Sequence, residues 1–243
     1  MTVFDDLVAE QDRLEGILLG LTEEQWLSES GAASWTIADV VLHLAQSEEG
    51  VVASASGSAS PGLVSRTGTT VDDRAADWVE AERAAPAVVL ARWQQARVAA
   101  VAALRAADPQ QQLQWVAGTL KPATLATTRL AEHWAHGLDI TEPFGIGFPD
   151  TARLRHIAWL AHRTLPYALT RAGQEAVPVR CTLTAPDGAG TWSFGPADAE
   201  SSITGPAGAF CRVAAQRLDP DRSGLHAAGP GGDIALRVLR TYA

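Results

Sequence analysis

The sequence has little of what several specialised protein classes need. Its 243 residues include two cysteines, Cys181 and Cys211, which form neither a CxxC pair nor a disulfide framework, so we expect buried, reduced thiols. No apolar run approaches the roughly 20 residues that cross a bilayer. The first 16 residues, MTVFDDLVAEQDRLEG, are acidic where a secretory signal would be basic and then apolar. These absences favour a cytoplasmic protein.

Positive charge is also scarce. The chain has 19 Lys and Arg against 28 Asp and Glu, a formal net charge of -9, and Lys121 is its single lysine. Nucleic acids and anionic membranes reward clustered positive charge, so neither is expected as a partner. The sequence also contains no G-x-S-x-G elbow, Walker loop or dinucleotide fingerprint. The expected partner is a small-molecule substrate, and the chain is expected to act as a monomer or homodimer.

Apolar residues, by contrast, are ample for a folded core. They make up 47% of the chain, and the length suggests one large domain or two modest ones. Apolar spacing in the first part predicts four substantial helices, separated by a Ser- and Gly-rich loop over 54–70. Joined in this way, the helices predict a bundle over residues 1–148. The four substantial helices are 3–20, the stretch after Thr36, 86–106 and 123–140, and a further helical segment is predicted at 71–84.

The pattern changes after residue 150. A further helix is predicted over 152–171, bent or ended by Pro166. VPVRCTLTAPDGAGTWSF then alternates as two strands do, with PDG as the turn between them. The remaining elements predict an α+β domain over residues 149–243. They are a strand at 202–204, a helix at 207–217, a strand near 225–227 and a helix at 233–242.

One segment, RLAEHWAHGLDI, carries most of the chemical information. On a helix, residues three, four and seven apart share one side, so its polar residues form a stripe, while His133 projects elsewhere. Polar groups along a bundle helix must either face solvent or converge on something that compensates their burial. The stripe consists of Arg129, Glu132, His136 and Asp139.

Glu132 and His136 lie one turn apart and can chelate one cation with little added ordering. Imidazole nitrogen and carboxylate oxygen are ordinary ligands for zinc and its neighbours. Two ligands rarely suffice, and His43, on another predicted bundle helix, is the best candidate for a third. Three protein ligands leave coordination positions open, as in reactive rather than structural zinc sites. The ion would then lower the pKa of bound water or activate a thiol.

Each of these residues also has a plainer interpretation. A Glu and a His four residues apart often form only a surface pair, and a lone His43 is more often a core histidine than a ligand. Asp139 either accepts from a ligand imidazole or faces water. Arg129 either anchors a substrate carboxylate or, as local spacing favours, pairs with Glu132. Trp35 is expected in the core or in a pocket wall. The histidines without partners at metal spacing, and so expected to be structural, are His156, His162 and His226.

Two segments resemble a known family. SWTIADVVLHLAQSEEG and ATTRLAEHWAHGLDI are similar to the metal-bearing segments of the mycothiol-dependent maleylpyruvate isomerase N-terminal domain family, within the DinB-like metal-binding four-helix bundles. The family pattern is a Trp-Thr pair and a histidine, then E-x-x-x-H-x-x-D. The resemblance implies that a divalent metal, usually zinc, is held by His43, Glu132 and His136. The matching positions are Trp35, Thr36, His43, Glu132, His136 and Asp139.

The resemblance extends to nearly the whole chain. LTAPDGAGTWSFGPADAESSITGPAGAFCRVAAQR is similar to the C-terminal domain of a subgroup described mainly as metal-binding proteins. The isomerase's own C-terminal domain has a sterol-carrier-like α+β form, in agreement with the predicted strands and helices. The expected fold is therefore a DinB-like four-helix bundle, followed by a smaller sterol-carrier-like domain.

The resemblance implies an enzyme, a metal-dependent isomerase or thiol transferase with mycothiol as cosubstrate and a small anionic substrate. A metal-held thiolate is nucleophilic at neutral pH, where a free thiol is mostly protonated. Two alternatives stay open. One is an isomerase, cyclase or hydrolase that uses the metal as a Lewis acid and needs no thiol. The other is a non-catalytic protein that carries an apolar ligand.

Overall fold

The structure, a computed structural model, describes residues 2–58, 70–116 and 118–241. It divides into two compact units, Met1–Phe148 and Pro149–Ala243. The first consists mainly of helices and the second combines helices with a sheet. The predicted fold class, a helical N-terminal part followed by an α+β part, is confirmed.

Four long helices build the first unit. The helix α3 packs against α5, α1 packs against α6, and α3 also contacts α6. Two short helices and a two-stranded hairpin complete the unit. The elements are α1 (Val3–Leu18), α2 (Glu23–Leu27), α3 (Ile37–Ala55), α4 (Val71–Ala81), α5 (Pro86–Ala106), β1 (Leu113–Trp115), β2 (Gly118–Leu120), α6 (Pro122–Thr141) and a 3-10 turn (Glu142–Phe144).

Local sequence signals fix where these helices begin. Each capping threonine side chain accepts a hydrogen bond from the backbone N–H three residues later. The Asp or Gln side chain at that position accepts from the threonine backbone N–H, which completes a capping box. Pro86 and Pro122 open α5 and α6, where a missing N–H costs nothing. Capping and proline signals are local, so the starts of these helices follow directly from the sequence. The capping threonines are Thr2, Thr22, Thr36 and Thr70.

The helix α6 lies at the centre of the first unit. Every residue from Arg129 to Thr141 is buried, polar ones included. A surface helix buries only one stripe, so burial on all sides means that each polar side chain of α6 needs a partner inside the protein.

Two features of the first unit differ from the sequence prediction. The hairpin β1–β2, with Leu113 opposite Leu120, was not predicted because strands of three residues carry too few alternating positions to be recognised. The predicted loop over 54–70 begins later, since α3 continues through Ala55, and α4 begins at Val71. Residues 59–69 lie outside the described part of the chain.

The second unit contains a four-stranded sheet and two helices that pack against α7. The strand order is β4-β3-β5-β6, with β3 parallel to β5 and the other neighbours antiparallel. The predicted hairpin around PDG is the β3–β4 pair. The elements are α7 (Leu154–Arg171), β3 (Val179–Thr184), β4 (Thr191–Phe194), β5 (Ser201–Pro206), α8 (Ala207–Ala214), a 3-10 turn (Pro220–Arg222), β6 (His226–Ala228) and α9 (Gly232–Val238).

The structure tests two sequence expectations about the second unit. The helix α7 does not end at Pro166 but continues to Arg171, with Pro166 on its exposed side. Cys181 and Cys211 are free and buried, as predicted. Burial raises the pKa of Cys181 to about 12 and that of Cys211 further, so both thiols stay protonated at neutral pH. In the described ranges no helix has the length and apolar character that a membrane crossing requires.

Candidate metal centre

Three side chains from two helices converge inside the first unit. His43 comes from α3, and Glu132 and His136 come from α6. The Oε2 atom of Glu132 lies 3.5 Å from His43 Nε2 and 3.6 Å from His136 Nε2. All three candidate ligand atoms lie within 4.8 Å of one another, and no other cluster of this kind occurs among the described residues.

The donor set fits a zinc-like ion. Two ligand atoms that each lie about 2.1 Å from one ion, at a tetrahedral angle, are separated by about 3.4 Å. The two measured distances to Glu132 Oε2 are close to that separation. Two imidazoles and one carboxylate are also the ligands of known catalytic zinc sites. The side chain of His43 keeps 17% of its surface exposed, so the cluster is reached from solvent.

Asp139 fixes the orientation of His136. Its Oδ2 lies 2.9 Å from His136 Nδ1, so Nδ1–H donates to the carboxylate and Nε2 is left facing Glu132. Asp139 is 3% exposed, which removes the alternative that it faces water. A carboxylate that accepts from a histidine in this way is the usual partner of a metal-bound imidazole.

The charges of the cluster are set by mutual contact. Burial alone would raise the pKa of Glu132, but hydrogen bonds from His136 and His43 hold it well below its usual value. Burial alone would lower the pKa of His136, but Asp139 and Glu132 raise it. For His43, burial outweighs the hydrogen bond with Glu132 and lowers the pKa. At neutral pH the cluster therefore offers a carboxylate and a neutral His43.

Trp35 forms an aromatic wall beside the cluster. Its ring centroid lies 5.0 Å from that of His43 and 6.3 Å from that of His136. The preceding loop is held against the end of α6, where Gly31 N–H donates to the Asp139 carbonyl oxygen at 2.8 Å. A Cβ atom at Gly31 would lie 3.0 Å from Asp139 Cα, so a larger residue would push this loop away. Trp35 is partly buried and packs against the core of the first unit, beside the two imidazoles.

Arg129 is placed differently from the local prediction. Its Nε donates to Glu48 Oε1 on α3 at 3.0 Å, so Arg129 pairs with Glu48 rather than with Glu132. It is 2% exposed, and its guanidinium lies 5.9 Å from the ring centroid of Trp115. A side chain this buried, with Nε already donated to Glu48, is poorly suited to capture a substrate carboxylate from solvent.

Three residues near the cluster were given no role and no partner by the sequence prediction, although His133 was seen to lie off the polar stripe. Glu48 is 0% exposed, and His133 and Trp93 are likewise fully buried. Trp93 Nε1–H donates to His133 Nε2 at 3.2 Å. The contacts join residues 40 and 81 positions apart, which no local spacing reveals. One signal in the sequence could have pointed to such partners. The segment that forms α6 carries many polar residues among apolar ones, which predicts that some of them pair inside the protein.

The structure thus has a helical unit with a candidate metal cluster, followed along the chain by an α+β unit. Comparison with known proteins identifies the family. The profile of the mycothiol maleylpyruvate isomerase N-terminal domain family matches residues 7–141, more than half of the chain. The chain therefore belongs to this family, and the resemblance seen in the sequence is confirmed.

Relatives and solved structures agree with this assignment. Two Mycobacterium tuberculosis proteins, the uncharacterized proteins MT0041 and Rv0036c, are each 32% identical over 245 residues, which covers 98% of this chain and 94% of theirs. The crystal structures of the mycothiol-dependent maleylpyruvate isomerase and of a histidine-to-alanine mutant have TM-scores of 0.61 and 0.62. Each is 14% identical and covers 94% of this chain and 95% of the other. At that identity the likeness concerns the fold.

Proposed function

We propose that this protein is a metal-dependent enzyme that uses mycothiol, as an isomerase or thiol transferase acting on a small anionic molecule. The observation that carries the proposal is the convergence of His43, Glu132 and His136 at a point that solvent reaches on one side. A structural zinc site would use four protein ligands and be closed. The metal that these three residues would hold is zinc or a similar divalent ion.

The chemistry of such a site needs an open coordination position. A divalent ion held there would lower the pKa of a coordinated thiol or water and would polarise a carbonyl oxygen. The protein's own residues prepare the position. Asp139 keeps the His136 proton on Nδ1, and the low pKa of Glu132 keeps that side chain an anionic ligand at neutral pH. Trp35 supplies a flat apolar surface beside the two imidazoles.

Thiol use is supported by family membership and is tested by direct binding. We expect calorimetric titration of the zinc-loaded protein with mycothiol to release or take up measurable heat, and the metal-free protein to give none. The reason is that the thiolate's binding energy comes mainly from the ion. Absence of heat and of thermal protection in the zinc-loaded protein would eliminate the thiol step, while leaving a general metal enzyme.

If Asp139 orients His136, two substitutions of Asp139 should lower zinc affinity to different degrees. In Asp139→Ala the carboxylate is lost, and zinc affinity should fall about 10- to 100-fold, as it does when such outer partners are removed elsewhere. In Asp139→Asn the side-chain oxygen still accepts from Nδ1 but the charge is lost, so we expect a smaller fall. Competition with a chelating dye measures both affinities. Equal affinities in both variants and the wild type would show that Asp139 does not orient the ligand.

A non-catalytic carrier is the competing function. An apolar ligand needs a deep apolar cavity, lined with few polar groups. A cavity of about 340 Å³ in the second unit has the polar residues Asp198, Glu200 and Ser201 in its lining. The rest of its lining is apolar, but an apolar ligand seated there would have to displace water from the exposed carboxylates of Asp198 and Glu200, which costs free energy. The cluster in the first unit suits a reactive metal instead. The thiol-free Lewis-acid enzyme remains the alternative that the mycothiol titration decides.

A further inference from the structure

Next to the candidate ligands lies a second set of buried polar side chains. We call Glu48, Trp93, Arg129 and His133 the buried polar layer. They come from three helices, α3, α5 and α6, and none is more than 2% exposed. Burial of polar groups costs free energy unless they are paired, so their presence on three packed helices calls for a structural or functional explanation.

The layer is held by directional contacts. Arg129 Nε donates to Glu48 Oε1 at 3.0 Å, and the Arg129 backbone carbonyl accepts from His133 Nδ1–H at 2.8 Å. Trp93 Nε1–H donates to His133 Nε2 at 3.2 Å. Because one ring nitrogen donates and the other accepts, His133 is neutral and fixed in one tautomer.

Two members of the buried polar layer, Glu48 and Arg129, lie on the same two helices as the candidate ligands, α3 and α6. Glu48 lies five residues after His43 on α3, and Arg129 lies three residues before Glu132 on α6. The ligand distances depend on how α3 is placed along α6, since His43 belongs to one helix and Glu132 and His136 to the other. A contact between Glu48 and Arg129, about one turn away, fixes that placement.

Stability alone does not account for the layer. A buried ion pair is often no better for folding than two apolar side chains of similar volume, because two charges must be removed from water. The pair here is also incompletely satisfied. Among the described residues, neither Glu48 Oε2 nor Arg129 Nη2 has a hydrogen-bond partner. Directional hydrogen bonds fix the relative position of two helices, whereas apolar side chains can slide past one another. A site whose ligands come from both helices therefore benefits from the polar pair.

We infer that the buried polar layer positions Glu132 and His136 against His43, so that the ligand set is formed before the ion binds. Its members are positioning residues and do not touch the ion. The inference rests on the proposed metal site, and it assigns a role to Glu48, Trp93 and His133 that their burial alone would not require.

The test replaces the pair without leaving a charge behind. The double variant Glu48→Leu/Arg129→Met keeps the volume, so the metal-free protein should fold with little change in Tm. We expect its zinc affinity to fall about 10-fold or more, the lower end for loss of outer-shell support. The absorption spectrum of the cobalt-loaded protein should also change, because it reports the arrangement of the ligands. A purely structural pair would not alter that spectrum.

The neighbouring pair provides a matched control. Arg92 contacts Glu49 at 2.7 Å between α5 and α3, but both side chains are partly exposed. The variant Glu49→Leu/Arg92→Met makes the same two kinds of substitution, with Glu49 next to Glu48 on α3 and Arg92 on α5. It should keep wild-type zinc affinity and the wild-type cobalt spectrum. Equal losses in the two double variants would overturn the inference.

A milder variant decides the case if the double variant does not fold. Trp93→Phe keeps an aromatic ring but removes the Nε1–H that fixes His133, and zinc affinity should fall about 2- to 10-fold, the value of one hydrogen bond. If the wild type binds zinc and Trp93→Phe binds it equally with an unchanged cobalt spectrum, the positioning role is wrong. If the wild type binds no zinc, the proposed function itself fails.

Discussion

The His136→Ala variant is expected to lose stoichiometric zinc without unfolding. In the wild type, we expect about one zinc per chain after dialysis. Free zinc at 100 times Kd should then add about 2.7 kcal/mol of stability, or about 5–10 °C in Tm for a chain of this size. Removal of the imidazole leaves two protein ligands, one of them His43, and two ligands on separate helices rarely hold such an ion.

Metal analysis and thermal unfolding with and without zinc measure this result. The variant should show no zinc-dependent rise in Tm, and its far-ultraviolet spectrum should keep the helical signal of the wild type. His156→Ala is the matched control, since it removes a histidine outside the cluster and should leave zinc content unchanged. If the wild-type chain carries no metal and gains no stability from zinc, the metal site is wrong. If His136→Ala binds zinc normally, the ligand assignment is wrong.

Helix positions were predictable because their signals are local. The helix α5 begins and ends where the sequence predicts, from Pro86 at the first turn to Ala106. The Thr36 capping box likewise places the start of α3, and so the position of His43 along it. The same local logic identified β3 and β4, where alternating residues flank a PDG turn. The hairpin β1–β2 was missed, because its strands are too short to show a period.

The candidate ligands were predictable in part. The spacing of Glu132 and His136 on one side of α6 follows from helical geometry, and so does the contact of His136 with Asp139 three residues later. That His43 meets them required either the structure or a family resemblance. Residues on different helices are brought together by packing, which a single sequence does not encode in any local pattern.

Arg129 shows most clearly where local reasoning ends. Spacing on α6 favoured Glu132 as its partner, one turn away, whereas the structure pairs it with Glu48, 81 positions earlier in the chain. Helical periodicity identifies which residues share a side but not which other helix faces that side. A helix buried all round has several such sides, so its polar residues find partners that their own neighbours do not reveal.

The Arg129→Met variant is expected to lose a large part of the protein's free energy of unfolding. Arg129→Met removes the cation and leaves the Glu48 carboxylate buried and uncompensated. Breaking a buried pair from one side costs about 3–5 kcal/mol. The control Arg92→Met breaks partly exposed pairs with Glu49 and Glu82, and exposed pairs are each worth about 1 kcal/mol or less. Urea unfolding of the metal-free proteins at pH 7 measures the difference.

The pH dependence of that loss identifies its origin. Burial already raises the pKa of Glu48 above the usual value, although Arg129 opposes the rise. Without Arg129 the folded-state pKa rises further above the unfolded-state value. The stability that such a carboxyl contributes is fully present below its unfolded pKa and is lost as pH rises through its folded pKa. The deficit of Arg129→Met should therefore be largest at neutral pH and shrink as the pH falls. A deficit that stays constant or grows on acidification would mean that lost packing around Arg129, rather than the stranded charge of Glu48, causes the instability.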